Sequence, residues 1–243
     1  MAKPTHETRS RGVVGRSRPA AVPQAAVQRQ GQVPPPSNPS GSMPITDDEI
    51  REKYLERAIR ELNTLTRELQ ACPHCPRGNL MPVLGSGHPQ ADVMLLKYAP
   101  QPSEIEEGVA FYGRAGGALM KSLKRLSIDP LAVYGTLCVK CPLSDSSLAD
   151  FACVARVIEE IAIVQPRIVV VMGSDALAAL GEMDIPLARE LAPRLGEIQQ
   201  LTPTIDALYV PNIDDSLDEI EAKRAFWAAF RALGDWWSAQ PPY

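Results

Sequence analysis

Two hydrophobic periods alternate along this chain from Thr46 onward. Ile50, Tyr54, Leu55, Ala58, Leu62 and Leu65 recur at three- and four-residue spacing, and Thr46 followed by Asp47, Asp48 and Glu49 supplies a cap with acids in the first turn. A helix is therefore predicted from 46 to about 70. Shorter, continuous apolar runs follow at 91–96, 131–139, 168–172 and 207–210, the third the clearest and the second the weakest. Runs of this length suit strands buried on both faces. Helical spacing returns at 117–126, 148–164, 175–180 and 218–237, while Gly85-Ser86-Gly87 reads as a turn. Strands alternating with helices predict a three-layer α/β/α fold around a central, mostly parallel four-stranded sheet. Such a sheet places its working residues beyond the carboxyl ends of its strands, on loops that begin here at Lys97, Cys138, Gly173 and Pro211.

Residues 1–44 show neither period. Pro, Gln, Arg and Ser dominate, as in Pro34-Pro35-Pro36-Ser37-Asn38-Pro39, and the segment is expected to be a disordered tail. The remaining length suffices for one core, giving a single domain over 45–238 and a short C-terminal tail over 239–243. Charge divides the same way. Lys3, Arg9, Arg11, Arg16, Arg18 and Arg29 against Glu7 leave the tail at about +5, so the body carries about −9 of the overall −4. A body that acidic is a poor non-specific DNA binder, although the tail can add salt-dependent phosphate contacts. No apolar stretch approaches the ~18 to 20 residues that span a bilayer, and the polar N-terminus is unlike a secretory signal. A soluble, cytoplasmic protein is expected.

Cysteine spacing carries the candidate chemistry. Cys72-Pro73-His74-Cys75 is followed about seventy residues later by Cys141 and Cys153, a layout suited to a metal centre or iron-sulfur cluster that ties distant segments together. Five cysteines make an odd number, which favours reduced thiols over a disulfide framework. Cys138 and Cys141 form a second such pair, so Cys72, Cys75, Cys138 and Cys141 offer an alternative zinc site. Gly113, Arg114 and Gly116 open a helix whose N–H groups suit a phosphate or another anion. Phe226, Trp227, Phe230, Leu233, Trp236 and Trp237 mark a packing face on the last helix. The adjacent Trp236 and Trp237 cannot face the same way, which leaves one for a protein partner.

These residues together resemble a known family. The first CxxC, Ala99-Pro100, the segment from Gly108 through Phe111 and Gly113-Arg114 to Gly116, Val139-Lys140-Cys141-Pro142, Cys153, the run from Pro166 to Gly173 and a final helix with Trp227 occur in the order seen in the uracil-DNA glycosylase superfamily. The likeness is to its iron-sulfur branch, family 4, and covers about 62–230. It implies a uracil-DNA glycosylase-like domain with a [4Fe-4S] cluster on Cys72, Cys75, Cys141 and Cys153. It also implies that Phe111 stacks on an extruded base, against the plainer reading that Phe111 packs in the core. Three positions depart from the family. Where it has Gly-Glu-Ala-Pro-Gly, this chain reads Lys97-Tyr98-Ala99-Pro100-Gln101, with a tyrosine for the acid that activates or positions water. Leu137 replaces the asparagine that reads the base, and Val210 replaces the histidine that stabilises the departing base. Glu104, Glu106 and Glu107 follow in what reads as a solvated acidic loop.

Loss of three polar groups at positions of recognition and chemistry predicts a pseudoenzyme. The expectation is a binding or scaffold protein linked to DNA repair, with DNA as a weak partner and no membrane association. The alternatives are an active glycosylase using altered residues, such as a loop glutamate, and a non-repair metal protein whose old pocket takes another ligand.

Overall fold

A computed structural model describes residues 46–241, so the basic tail and the end of the C-terminal tail lie outside the described residues. The first helix, α1 (Asp47–Ala71), starts at a capping box in which the Thr46 hydroxyl accepts from Glu49 N while a Glu49 carboxylate oxygen accepts from Thr46 N. It buries Ala58, Leu65 and Leu69 and ends where Cys72 turns extended.

Six strands form one sheet: β1 (Ser86–Gly87), β2 (Val93–Lys97), β3 (Val133–Leu137), β4 (Ile168–Met172), β5 (Ile198–Thr202) and β6 (Ile205–Val210), in the order β1-β3-β2-β4-β6-β5. The inner four are parallel and are the four expected, while an antiparallel strand is added at each edge. Neither edge is visible in the hydrophobic pattern. The presumed turn Gly85-Ser86-Gly87 supplies the two-residue β1, and β5 carries Gln199 and Gln200 at a bulge on a half-exposed edge.

Side chains of the inner strands alternate between two cores. Met94, Leu96, Val169 and Val171 face α4 (Phe151–Val164) and α5 (Ser174–Glu182). Val93, Leu95, Val170 and Leu208 face α3 (Arg114–Arg125) and α6 (Ile220–Ser238). A six-residue helix, α2 (Pro102–Glu107), lies between β2 and α3 in the stretch read as a solvated loop. Trp236 and Trp237 are both half-buried against the α6 side. The Trp236 indole donates to Asp206 at 2.8 Å, so neither ring stands free for a partner as the sequence suggested.

Register fixes what the site can contain. Lys97 pairs with Leu137 on one side and Met172 on the other, and Met172 pairs with Val210. The last residues of all four parallel strands therefore form one row, Leu137, Lys97, Met172 and Val210, at the carboxyl end.

Candidate functional sites: a cysteine corner and a buried ionic cluster

Three of the predicted ligands meet. Cys75 comes from the loop after α1, Cys141 from the loop after β3 and Cys153 from the first turn of α4, and their sulfurs lie within 4.8 Å of one another, all buried. Backbone geometry prepares the corner. Asp150 caps α4 by accepting from Ala152 N, and its own N–H points at Cys75 Sγ at 3.5 Å. Arg77 holds the first loop by donating to the carbonyls of Gln70, Cys72 and Leu80.

The Cys141 and Cys153 sulfurs are 4.0 Å apart, within hydrogen-bonding distance of one another. Hydrogen bonding from Cys141, helped by the N–H groups of Lys140 and Cys141, draws the Cys153 thiol down to about 5 and pushes Cys141 up. Burial raises Cys75. An all-sulfur donor set with N–H groups aimed at its sulfurs suits a thiolate-bound soft metal or cluster. Cys72 caps α1, half-buried and outside the trio. Cys138 also lies apart, in the sheet core facing α4, where burial pushes its thiol up to about 12.

At the carboxyl end of the sheet Tyr98, Leu137 and Val210 do not share one face. Leu137 and Val210 stand in the terminal row, both fully buried, Leu137 against Val83, Ala110 and Phe111. Tyr98 is turned to the opposite face, packed on the core beside α4 and α5, and burial raises its phenol. The residue in the row is its neighbour Lys97. Its ammonium, 1% exposed, lies 2.7 Å from Glu104 Oε2 and 2.7 Å from Asp214 Oδ2.

Glu104 is thus the correction to the solvated loop: Glu106 and Glu107 are exposed, but Glu104 is 0% exposed and fully engaged. Its Oε1 accepts from Phe111 N, and its Oε2 accepts from Gln101 N at 2.7 Å as well as from Lys97. This capture holds Phe111 at φ 60°, a left-handed conformation that a bulky residue seldom adopts. The ring lies on Gly135, where a Cβ would come within 2.5 Å of it, and 5.5 Å from the Lys97 ammonium. The first turn of α3 closes on the Phe111 carbonyl, leaving no room for a Cβ at Gly116. Gly113 begins that helix, and Arg114 pairs with Asp218 across the surface.

Lys97 and Asp214 were missed in the sequence. A lysine ending the otherwise apolar run Val93-Met94-Leu95-Leu96 was a usable signal, since a fully buried lysine must be paired. Asp214 lies 117 residues away and gave none. A second buried cluster joins the two sites. Lys140, beside Cys141, donates to the Leu137 carbonyl at 2.7 Å and pairs with Glu160 of α4 at 2.8 Å, and Glu160 also accepts from Thr136 and Tyr134.

Residues 84–230 match the sequence profile of the Uracil DNA glycosylase superfamily, a span that includes Lys97, Phe111, Leu137, Cys141, Cys153 and Val210. A type-4 uracil-DNA glycosylase of Pyrobaculum aerophilum is 32% identical over 146 residues, which are 58% of this chain and 71% of that protein. Another, of Sulfurisphaera tokodaii, is 32% identical over 121 residues, 46% of this chain and 54% of that protein. With a parallel sheet flanked by helices, a buried cysteine trio and Phe111 at the carboxyl end, these matches show that the chain belongs to the uracil-DNA glycosylase superfamily, in its type-4 branch.

Proposed function

We propose that this protein keeps the glycosylase fold and a thiolate-held metal centre, no longer excises bases, and works as a binding or scaffold protein in DNA repair. One observation carries the reading: Lys97, Glu104, Leu137 and Val210, which line the place of the family's chemistry, are each at most 1% exposed. Where the family pattern has a glycine, a lysine side chain fills the floor and is clamped by two carboxylates. A base entering here would meet Leu137 and Val210, and each buried polar edge left unpaired costs ~1 to 3 kcal/mol. Of the two acids at this floor, Glu104 has both oxygens committed and Asp214 is paired with Lys97.

The cofactor we assign is a [4Fe-4S] cluster on Cys75, Cys141 and Cys153, with Cys72, three residues before Cys75 and outside the sheet core that holds Cys138, as fourth ligand. A cluster here would staple α1 to the sheet and α4. Zinc is the competing occupant, because the 4.0 Å between Cys141 and Cys153 sulfurs suits two thiolates on one small tetrahedral ion. Visible absorbance with iron, sulfide and zinc quantification separates the two.

Single-turnover excision tests the main reading, with metal-loaded full-length protein in excess over single-stranded and duplex DNA bearing uracil or other damaged bases. No cleavage above a metal-free control is expected. Excision that disappears in Glu104→Gln would establish the alternative, an active glycosylase with altered residues.

A further inference from the structure

Lys140 and Glu160 are paired at 2.8 Å with 0% and 2% of their side chains exposed, and the function proposed above uses neither. Three donors converge on the Glu160 carboxylate. The Tyr134 hydroxyl donates to Oε1 at 3.1 Å, and the Thr136 hydroxyl, at 2.7 Å, and the Lys140 ammonium donate to Oε2. The ammonium also donates to the Leu137 carbonyl at 2.7 Å. Gly85 packs its backbone on this network, since a Cβ there would come within 2.3 Å of the Tyr134 hydroxyl and 3.0 Å of Glu160 Oε1.

Stability does not account for a pair so placed. Replacing a buried ion pair by neutral side chains of similar volume is often neutral or stabilising, so the fold alone gives no reason to keep these charges. Their position gives one. Lys140 immediately precedes Cys141, and its N–H, with that of Cys141, is aimed at the Cys153 sulfur. Glu160 follows Cys153 by seven residues on α4, on the same face and about 10 Å further along the axis. The cation thus stands on the loop that carries one ligand, and the anion two turns beyond another. At Cys138, on the strand leading into that loop, the attraction of Lys140 outweighs the repulsion of Glu160, which places the positive end of the pair nearer that thiol. Thiolates gathered on one metal centre leave net negative charge in a buried site, and a buried charge needs a partner.

We infer that Lys140 is a positioning residue for the metal centre, its ammonium fixed by Glu160 and the Leu137 carbonyl so that its charge stabilises the bound thiolates. This role rests on the metal centre proposed above and not on the loss of excision.

Full-length protein reconstituted with iron and sulfide in the absence of oxygen tests it, through the midpoint potential of the cluster in a redox titration followed by visible absorbance. Net charge near a cluster sets its potential, a cation raising it and an anion lowering it. Glu160→Gln leaves Lys140 uncompensated and should raise the potential above that of wild type, although it weakens the fold. K140M/E160Q strands no charge, should keep a Tm close to wild type, and should lower the potential. Opposite shifts in these two variants cannot come from loosened packing. Wild-type potentials in both would overturn the role and leave the cluster assignment intact. If quantification finds zinc in place of iron and sulfide, the cluster assignment falls and competition for Zn²⁺ with a chromophoric chelator becomes the readout. K140M/E160Q should then bind about 10- to 100-fold more weakly, and wild-type affinity would overturn the role. Uptake of neither by the wild type would overturn the metal centre and the role together.

Discussion

The cysteine corner and the carboxyl end of the sheet share one loop, yet one gathers buried thiols and the other apolar and paired ionic side chains. Cys141 and Leu137 are four positions apart, and Lys140 between them donates to the Leu137 carbonyl. On the cysteine side, Cys75, Cys141 and Cys153 are buried together. On the other, Leu137 and Val210 are buried and apolar, and the floor is filled by Lys97, Glu104 and Asp214. The difference follows from what each site does for the fold. Thiolates on a metal would join α1, the sheet and α4, so losing one would cost folding energy directly. Under the function proposed above, groups poised for chemistry, held unpaired or strained, contribute little to stability, and replacing them would be neutral or favourable.

The sharpest way to break this contrast is at the corner. Cys153→Ser should abolish metal retention and lower Tm by of order 10 °C, from roughly 3 to 5 kcal/mol at ~2 to 4 °C per kcal/mol for a chain of this size. Metal analysis beside a thermal melt reads both. A variant that kept its Tm after losing metal would mean that the corner does not hold the fold together.

Glu104→Ala attacks the other side. It strands the Lys97 ammonium with Asp214 alone, removes the acceptors of Phe111 N and Gln101 N, and should cost about 3 to 5 kcal/mol, as breaking a buried pair does. Urea denaturation measures it, and a loss below about 1 kcal/mol would mean that the cluster does not hold this end of the sheet together. Replacing the whole cluster sharpens the point. K97M/E104Q/D214N removes every charge while keeping volume, and should be more stable than K97M alone, falling short of wild type because the new amide can accept from only one of Phe111 N and Gln101 N. A triple variant as unstable as the single one would show that the charges themselves are indispensable.

Legibility in the sequence divided along the same line. The four parallel strands announced themselves through apolar runs such as Ile168-Val169-Val170-Val171-Met172, because a strand buried on both faces has no alternative composition. Edge strand β5, half-exposed and glutamine-bearing, had no such signature, and α2 is too short to show a period. Cysteines were readable because a metal restricts its ligands to few residue types. The ionic cluster was not, because Lys97, Glu104 and Asp214 are ordinary surface residues in composition and only the closure of the sheet brings them together. Facing direction was also hidden: aligning Tyr98 with a functional position is a statement about order in the chain, and β2 turns that side chain toward α4 and α5.

Cys138 gives the smallest expected effect and the cleanest discrimination between the two sides, since it lies three residues from Cys141 and yet in the sheet core. Cys138→Ala should leave metal content unchanged and cost about 1 kcal/mol at neutral pH, the range for deleting one small buried group. A loss of metal would instead make Cys138 a ligand and revive the zinc set of Cys72, Cys75, Cys138 and Cys141. Alkaline titration separates packing from ligation further. The thiol's folded value, about 12, lies above its ordinary 9.0, so the folded state holds a proton that the unfolded chain releases. Stability linked to Cys138 is therefore complete below pH 9 and is lost as pH rises through about 12. Wild type should lose this increment across that window while Cys138→Ala does not, so the variant, less stable at pH 7, should match or overtake wild type above about pH 11. Parallel decline of the two proteins would mean that the thiol is not buried in its neutral form, and the cysteine corner would then extend into the sheet.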